Sequence, residues 1–135
     1  MFAGMAAQGC VDVRGGAVEL SWTIRTEEGG SCSCARAEID RIELLATPCD
    51  LLESDGTCVG SPQHRNAWTW SCQESHGTTL FDIPEGRWGF KIEAFTMNDL
   101  PAEAAVPPPI VRDVVTGEVA MLDALLITTF TCTTP

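Results

Sequence analysis

Seven cysteines, at positions 10, 32, 34, 49, 58, 72 and 132 of 135 residues, constrain this chain more than any other feature. The tightest group, Cys32 and Cys34 in Gly29-Gly30-Ser31-Cys32-Ser33-Cys34, admits three chemistries: a metal site, a redox pair or two disulfide anchors. A redox pair calls for C-x-x-C, which the sequence lacks. Zinc sites usually set paired cysteines about two to four residues apart, so one intervening residue fits them poorly. Disulfide anchors fit best, and they place the chain in an oxidising compartment.

The stretches between the cysteines carry the period of two expected of strands with one buried face. Val18, Leu20, Trp22 and Ile24 alternate with Glu19, Ser21, Thr23 and Arg25; Trp68, Trp70 and Cys72 share one side, and so do Trp88, Phe90, Ile92 and Ala94. The segment Ala35 to Ala46 fits either a helical face or a strand, and its second half, with Ile42, Leu44 and Ala46, reads as a strand. A short strand in Thr78-Thr79-Leu80-Phe81 enters the turn Pro84-Glu85-Gly86 and predicts a hairpin with the strand after it. Ile110 to Val115 and Glu118 to Thr128 read as a last pair joined by Thr116-Gly117, the second apolar on both faces as a central strand would be. The expected fold is all-β, an antiparallel two-sheet sandwich of about seven strands stapled by disulfides.

In such a sandwich each loop falls at one end or the other. Alternating strand directions put Cys32, Cys34, Cys72 and Cys132 at one end and Cys49 and Cys58 at the opposite one. Bonded cysteines have Cα atoms within about 7 Å, so no bridge spans the length of a strand. Cys49 is expected to pair with Cys58, while Cys32 and Cys34 each take one of Cys72 and Cys132, which leaves two connectivities.

Two stretches resemble known families. Ala6-Ala7-Gln8-Gly9-Cys10 resembles the lipobox of bacterial lipoproteins, in which a small residue precedes a cysteine that is cleaved and acylated. The resemblance implies lipidation at Cys10, with 1–9 the remnant of a signal segment whose charged start lies upstream, 10–16 a lipidated tether and 17–135 the sandwich domain. It departs from the usual pattern in having Ala7 where leucine is common and no basic residue before Cys10. Val11, rather than aspartate, resembles the pattern of lipoproteins sorted to the outer membrane. Phe81-Asp82-Ile83-Pro84-Glu85-Gly86-Arg87-Trp88 and the strand that follows look like one end of prealbumin-like or carboxypeptidase-regulatory-like domains. An Ig-like sandwich is the other form considered, without the Cys…Trp…Cys spacing and tyrosine corner of true immunoglobulin domains.

Charge and motifs bound the function. With 19 acidic against 8 basic side chains and a net charge of -11, the chain has no basic cluster to neutralise phosphates, so nucleic acid is excluded as a partner. No catalytic constellation or cofactor motif is found, and His64 and His76 both read as loop residues. Asp50, Glu53 and Asp55 match no calcium-loop spacing and read as solvated turn residues. The four tryptophans fall on the apolar sides of their strands; Trp68, beside the long loop with His64 and Arg65, is the candidate for an exposed binding residue. The expected role is a non-catalytic lipoprotein of the bacterial cell envelope, a binding or structural module on the periplasmic or outer surface whose partner is an envelope protein or glycan and whose membrane contact is the lipid on Cys10. The alternative is a metal-binding or metal-delivery protein that uses the Cys32 and Cys34 thiols.

Overall fold

The computed structural model describes residues 14–54, 58–59 and 66–132. Its strands are β1 (Ala17–Thr26), β2 (Arg41–Pro48), β3 (Leu51–Leu52), β4 (Cys58–Val59), β5 (Asn66–Ser71), β6 (His76–Thr78), β7 (Gly86–Phe95), β8 (Ala104–Ala105), β9 (Ile110–Val114) and β10 (Val119–Thr129), with one 3-10 turn at Cys72–Glu74. Two four-stranded sheets, ordered β6-β1-β10-β8 and β5-β2-β7-β9, face each other, and β3 and β4 form a separate short ribbon. The core between the sheets is built from the alternating residues of the long strands. Val18, Leu20, Trp22 and Ile24 of β1 meet Ile42, Leu44 and Ala46 of β2 and Trp88, Phe90 and Ile92 of β7.

Both expected hairpins are replaced by crossings between sheets. The chain leaves β6 in one sheet and enters β7 in the other, so Thr79 to Glu85 bridges the layers instead of turning back. What holds it there is its own chemistry. The Thr79 hydroxyl accepts the Val18 N–H at 3.0 Å and donates to the Leu80 carbonyl at 3.0 Å. Ile83 is fully buried, closing that end of the core, and its backbone bridges to Gly16. The Pro84 carbonyl then accepts the Trp88 Nε1–H at 2.8 Å, fixing the turn into β7, and Gly86 takes a φ of 145° that a side chain would oppose.

Thr116-Gly117 likewise joins strands of different sheets. β9 pairs antiparallel with β7, whereas β10 pairs with β8 and lies parallel to β1. The parallel pair arises because both strands start at the same end: Ala17 N–H donates to the Glu118 carbonyl, and Gly117 N–H to the Gly15 carbonyl. β10 is therefore central in its sheet, as expected, but only one of its faces is buried. Glu19 and Ser21 of β1 pair with Met121 and Ala124, so Leu122 and Asp123 together oppose the single residue Leu20. This bulge puts Asp123 at a φ of 66°, a conformation that aspartate tolerates better than most residues. It also shifts the phase of the strand. Leu122 is buried before the bulge and Leu125 and Ile127 after it, which makes an ordinary one-sided strand look apolar on both sides, while Met121, Leu126 and Phe130 remain exposed.

At the margin between β5 and β6, Trp70 lies over Gly77, where a Cβ would stand only 2.5 Å from the indole. Gly77→Ala is expected to cost about 1 to 3 kcal/mol by forcing this contact apart. A smaller side chain at position 70 should recover part of the loss, so the two changes should be non-additive in denaturant titrations. Equal stability of Gly77→Ala and the parent protein would show that the indole is not seated there.

Candidate functional site

The disulfides organise both ends of the sandwich. Cys49–Cys58 joins the chain at the end where β1 begins, with a Cα–Cα distance of 4.7 Å. Cys32–Cys132 and Cys34–Cys72, at 6.2 and 6.0 Å, gather the β1–β2 loop, the 3-10 turn and the end of β10 at the opposite end. The Cys-Ser-Cys segment is thus bonded in two directions, to the chain after β10 and to the turn after β5. Its sulfurs are both consumed, so the thiolate pair required by a metal-delivery role is not available in the oxidised fold. Among the described residues, no three of His, Cys, Asp and Glu are grouped as metal ligands.

An open groove of about 490 Å³ lies beside Cys34, between the β1–β2 loop, the 3-10 turn and the β7–β8 loop. Its shape follows from local bonding. Ala37 N–H donates to the Ser33 carbonyl, Ile39 N–H to the Cys34 carbonyl, and Arg36 N–H to the Ser33 hydroxyl, which winds the first half of the helix-or-strand segment into a turn before β2. Ala37 and Ile39 point into the core, leaving Glu38 at a φ of 58° on the outer side. Opposite, the Thr96 hydroxyl accepts the N–H groups of Asn98 and Leu100, both at 3.3 Å, and Met97 stands exposed on the rim. Asp99 closes this wall by pairing with Arg41, whose guanidinium lies 4.5 Å above the Phe95 ring. The groove presents Glu38, Asp40, Gln73 and Asn98 to solvent, a set that can exchange hydrogen bonds with a polar ligand.

The residues named for binding are distributed differently. His64 and Arg65 lie outside the described residues, as do Cys10 and Asp55. Trp68 is half-buried, packed against the core from β5 with its outer part exposed. Trp22 and Trp88 are buried, and Trp70 is half-buried with its ring centroid 6.2 Å from that of Trp22. His76 is exposed on β6, its Nδ1 2.9 Å from the Glu74 carbonyl. At Glu85 the Thr116 N–H, donating to the carboxylate at 3.0 Å, lowers the pKa from the usual glutamate value. Sequence reasoning missed the groove because its walls come from three loops whose only shared signal was Cys34 and Cys72.

No protein family matches this chain, and neither does any curated protein. Among solved structures, a pilus-presented adhesin, Spy0125 (Cpa), is similar in a mutant form at 14% identity over 86% of this chain, with a TM-score of 0.37. A second crystal form of the same adhesin gives 14% identity over 89% of this chain and a TM-score of 0.37. In each case the matched part is 27% of the adhesin chain, so this chain spans about a quarter of it. A likeness this distant assigns no function.

Proposed function

We propose that the chain is a non-catalytic binding or structural module of the bacterial cell envelope, anchored in the outer membrane through a lipid on Cys10. The observation that carries this reading is the disulfide framework. Three bonds use all six cysteines from Cys32 to Cys132, which suits an oxidising compartment and leaves Cys10 as the one cysteine without a partner among them. The lipobox-like residues before Cys10 supply a chemistry for it.

The backbone bonds of residues 14–16 support one orientation of the domain on such an anchor. Arg14 and Gly15 N–H groups donate to the Phe81 carbonyl and Gly16 N–H to the Ile83 carbonyl, so the folded domain takes up part of the expected 10–16 tether. The three residues between Cys10 and Arg14 reach at most about 14 Å. The Cys49–Cys58 end would sit against the bilayer, and the groove beside Cys34 would face away from it. Its amides and carboxylates suit a polar envelope partner, a protein or a glycan, and the acidic surface disfavours nucleic acid.

Intact mass of the protein from its own host's membranes, with thiols alkylated before and after reduction, tests this. The expected chain begins at an acylated Cys10 and exposes six thiols only after reduction. A chain that keeps Met1 and reacts at Cys32 and Cys34 without reduction would overturn both the anchor and the compartment, and would reopen the metal reading.

A further inference from the structure

The outer edge of β5 is unlike the other sheet edges. Cys72 N–H donates to the Asp40 carbonyl at 2.9 Å, which fixes the phase of the β2–β5 ladder. The backbone groups of Asn66, Trp68 and Trp70 therefore face β2, and those of Ala67, Thr69 and Ser71 face outward. The Ser71 N–H is taken by the Glu74 carboxylate at 3.0 Å. Ala67 and Thr69 are exposed, and among the described residues nothing bonds their outward N–H and C=O groups.

Other edges carry protection. β6 and β8 are three and two residues long. β9 follows Pro107-Pro108-Pro109, carries Arg112 and Asp113, and has its outward Val111 carbonyl covered by the Arg112 guanidinium at 2.9 Å. β5 has six residues, Asn-Ala-Trp-Thr-Trp-Ser, in unbroken register with β2, without charge, proline or bulge. Sheets normally guard such an edge with at least one of these devices.

We propose that this edge pairs with the same edge of a second copy of the chain, antiparallel about a two-fold axis through Trp68. In that register Ala67 exchanges both backbone hydrogen bonds with Thr69 of the second copy, and Thr69 with its Ala67, so the outward N–H and C=O groups of both residues find mates. Trp68 meets its counterpart in a non-hydrogen-bonded pair, where Cα atoms approach to about 4.5 Å and side chains are closest. The exposed part of each indole is covered by the other. The net charge of -11 sits elsewhere, since β5 places no like charges opposite one another. The two four-stranded sheets join into one of eight, a small contact of the weak, reversible class. This pairing is independent of the lipid anchor, although two-dimensional confinement at a membrane would favour it.

Sedimentation equilibrium of the oxidised chain, in a Cys10→Ser background that removes any Cys10–Cys10 crosslink, should show a monomer–dimer equilibrium. Thr69→Pro deletes an outward N–H without touching the β2 ladder and is expected to weaken the dimer about tenfold or more. Thr69→Val keeps the N–H and should leave dimerisation intact. A parent protein that stays monomeric up to about 1 mM, or a dimer that Thr69→Pro leaves unchanged, overturns the proposal. Should Thr69→Pro fail to fold, amide exchange decides: protection of Ala67 and Thr69 that rises with protein concentration supports the pairing, and protection independent of concentration overturns it.

Discussion

Replacing Cys32 and Cys132 together with alanine is expected to lower the unfolding free energy by about 4 to 5 kcal/mol, the largest loss from any one of the three disulfides. The bond closes a loop of 100 residues, against 38 for Cys34–Cys72 and 9 for Cys49–Cys58. If the bonds act chiefly by restricting the unfolded chain, the corresponding losses for the other two are about 4 and about 2.5 kcal/mol. The folded structure pushes in the same direction. Cys132 lies just past β10, whose pairing with β1 joins the two ends of the chain, so without the bond only backbone hydrogen bonds and packing hold the last strand at that end. Denaturant midpoints of the three double-alanine variants, measured without reductant, give the order directly. If the Cys49 and Cys58 pair proved the most costly to remove, native-state packing around that end, not loop closure, would be setting the stability.

How the cysteines group was legible from sequence because it depends on little: strands are stiff rods about as long as their residue count, and loops alternate between their ends. Which strands pair was not legible. A period of two says that Val18 to Ile24 and Trp88 to Ala94 each bury one face, but the pattern is the same whether the next strand lies alongside or across the core. Pro84-Glu85-Gly86 and Thr116-Gly117 are good turn sequences in either case. What decides is long-range, namely the docking of Gly15 and Gly16 against Ile83 and Glu118, where a Cβ on Gly15 would come within 2.1 Å of the Ile83 carbonyl oxygen. Those glycines, read as tether, are part of the closure. The bulge at Asp123 was hidden for a related reason: one inserted residue changes the face of everything after it, and a strand read as continuous then seems apolar throughout. The groove beside Cys34 could be found only once three loops were placed together.

Trp22→Ala is expected to cost about 3 to 5 kcal/mol, as removal of a large buried aromatic does. Trp22 is buried in the centre of β1, its ring against Trp70, and its Nε1–H donates to the Cys72 carbonyl at 2.9 Å. Through that bond the core holds the 3-10 turn that carries one half of the Cys34–Cys72 disulfide and a wall of the groove. Trp22→Phe separates the two roles. Most of the ring volume is kept, and the Cys72 carbonyl retains the Ser75 N–H at 3.2 Å, so the hydrogen-bond loss should fall at the low end, about 1 kcal/mol, with the remainder of any deficit due to packing. Both variants should weaken the near-ultraviolet circular dichroism that a tilted tryptophan pair produces, since Trp70 loses its partner. A Trp22→Ala protein less than about 1 kcal/mol below the parent would mean that the turn and its disulfide are held from outside the core, by the Ser71 and Glu74 capping bonds and Cys34 alone.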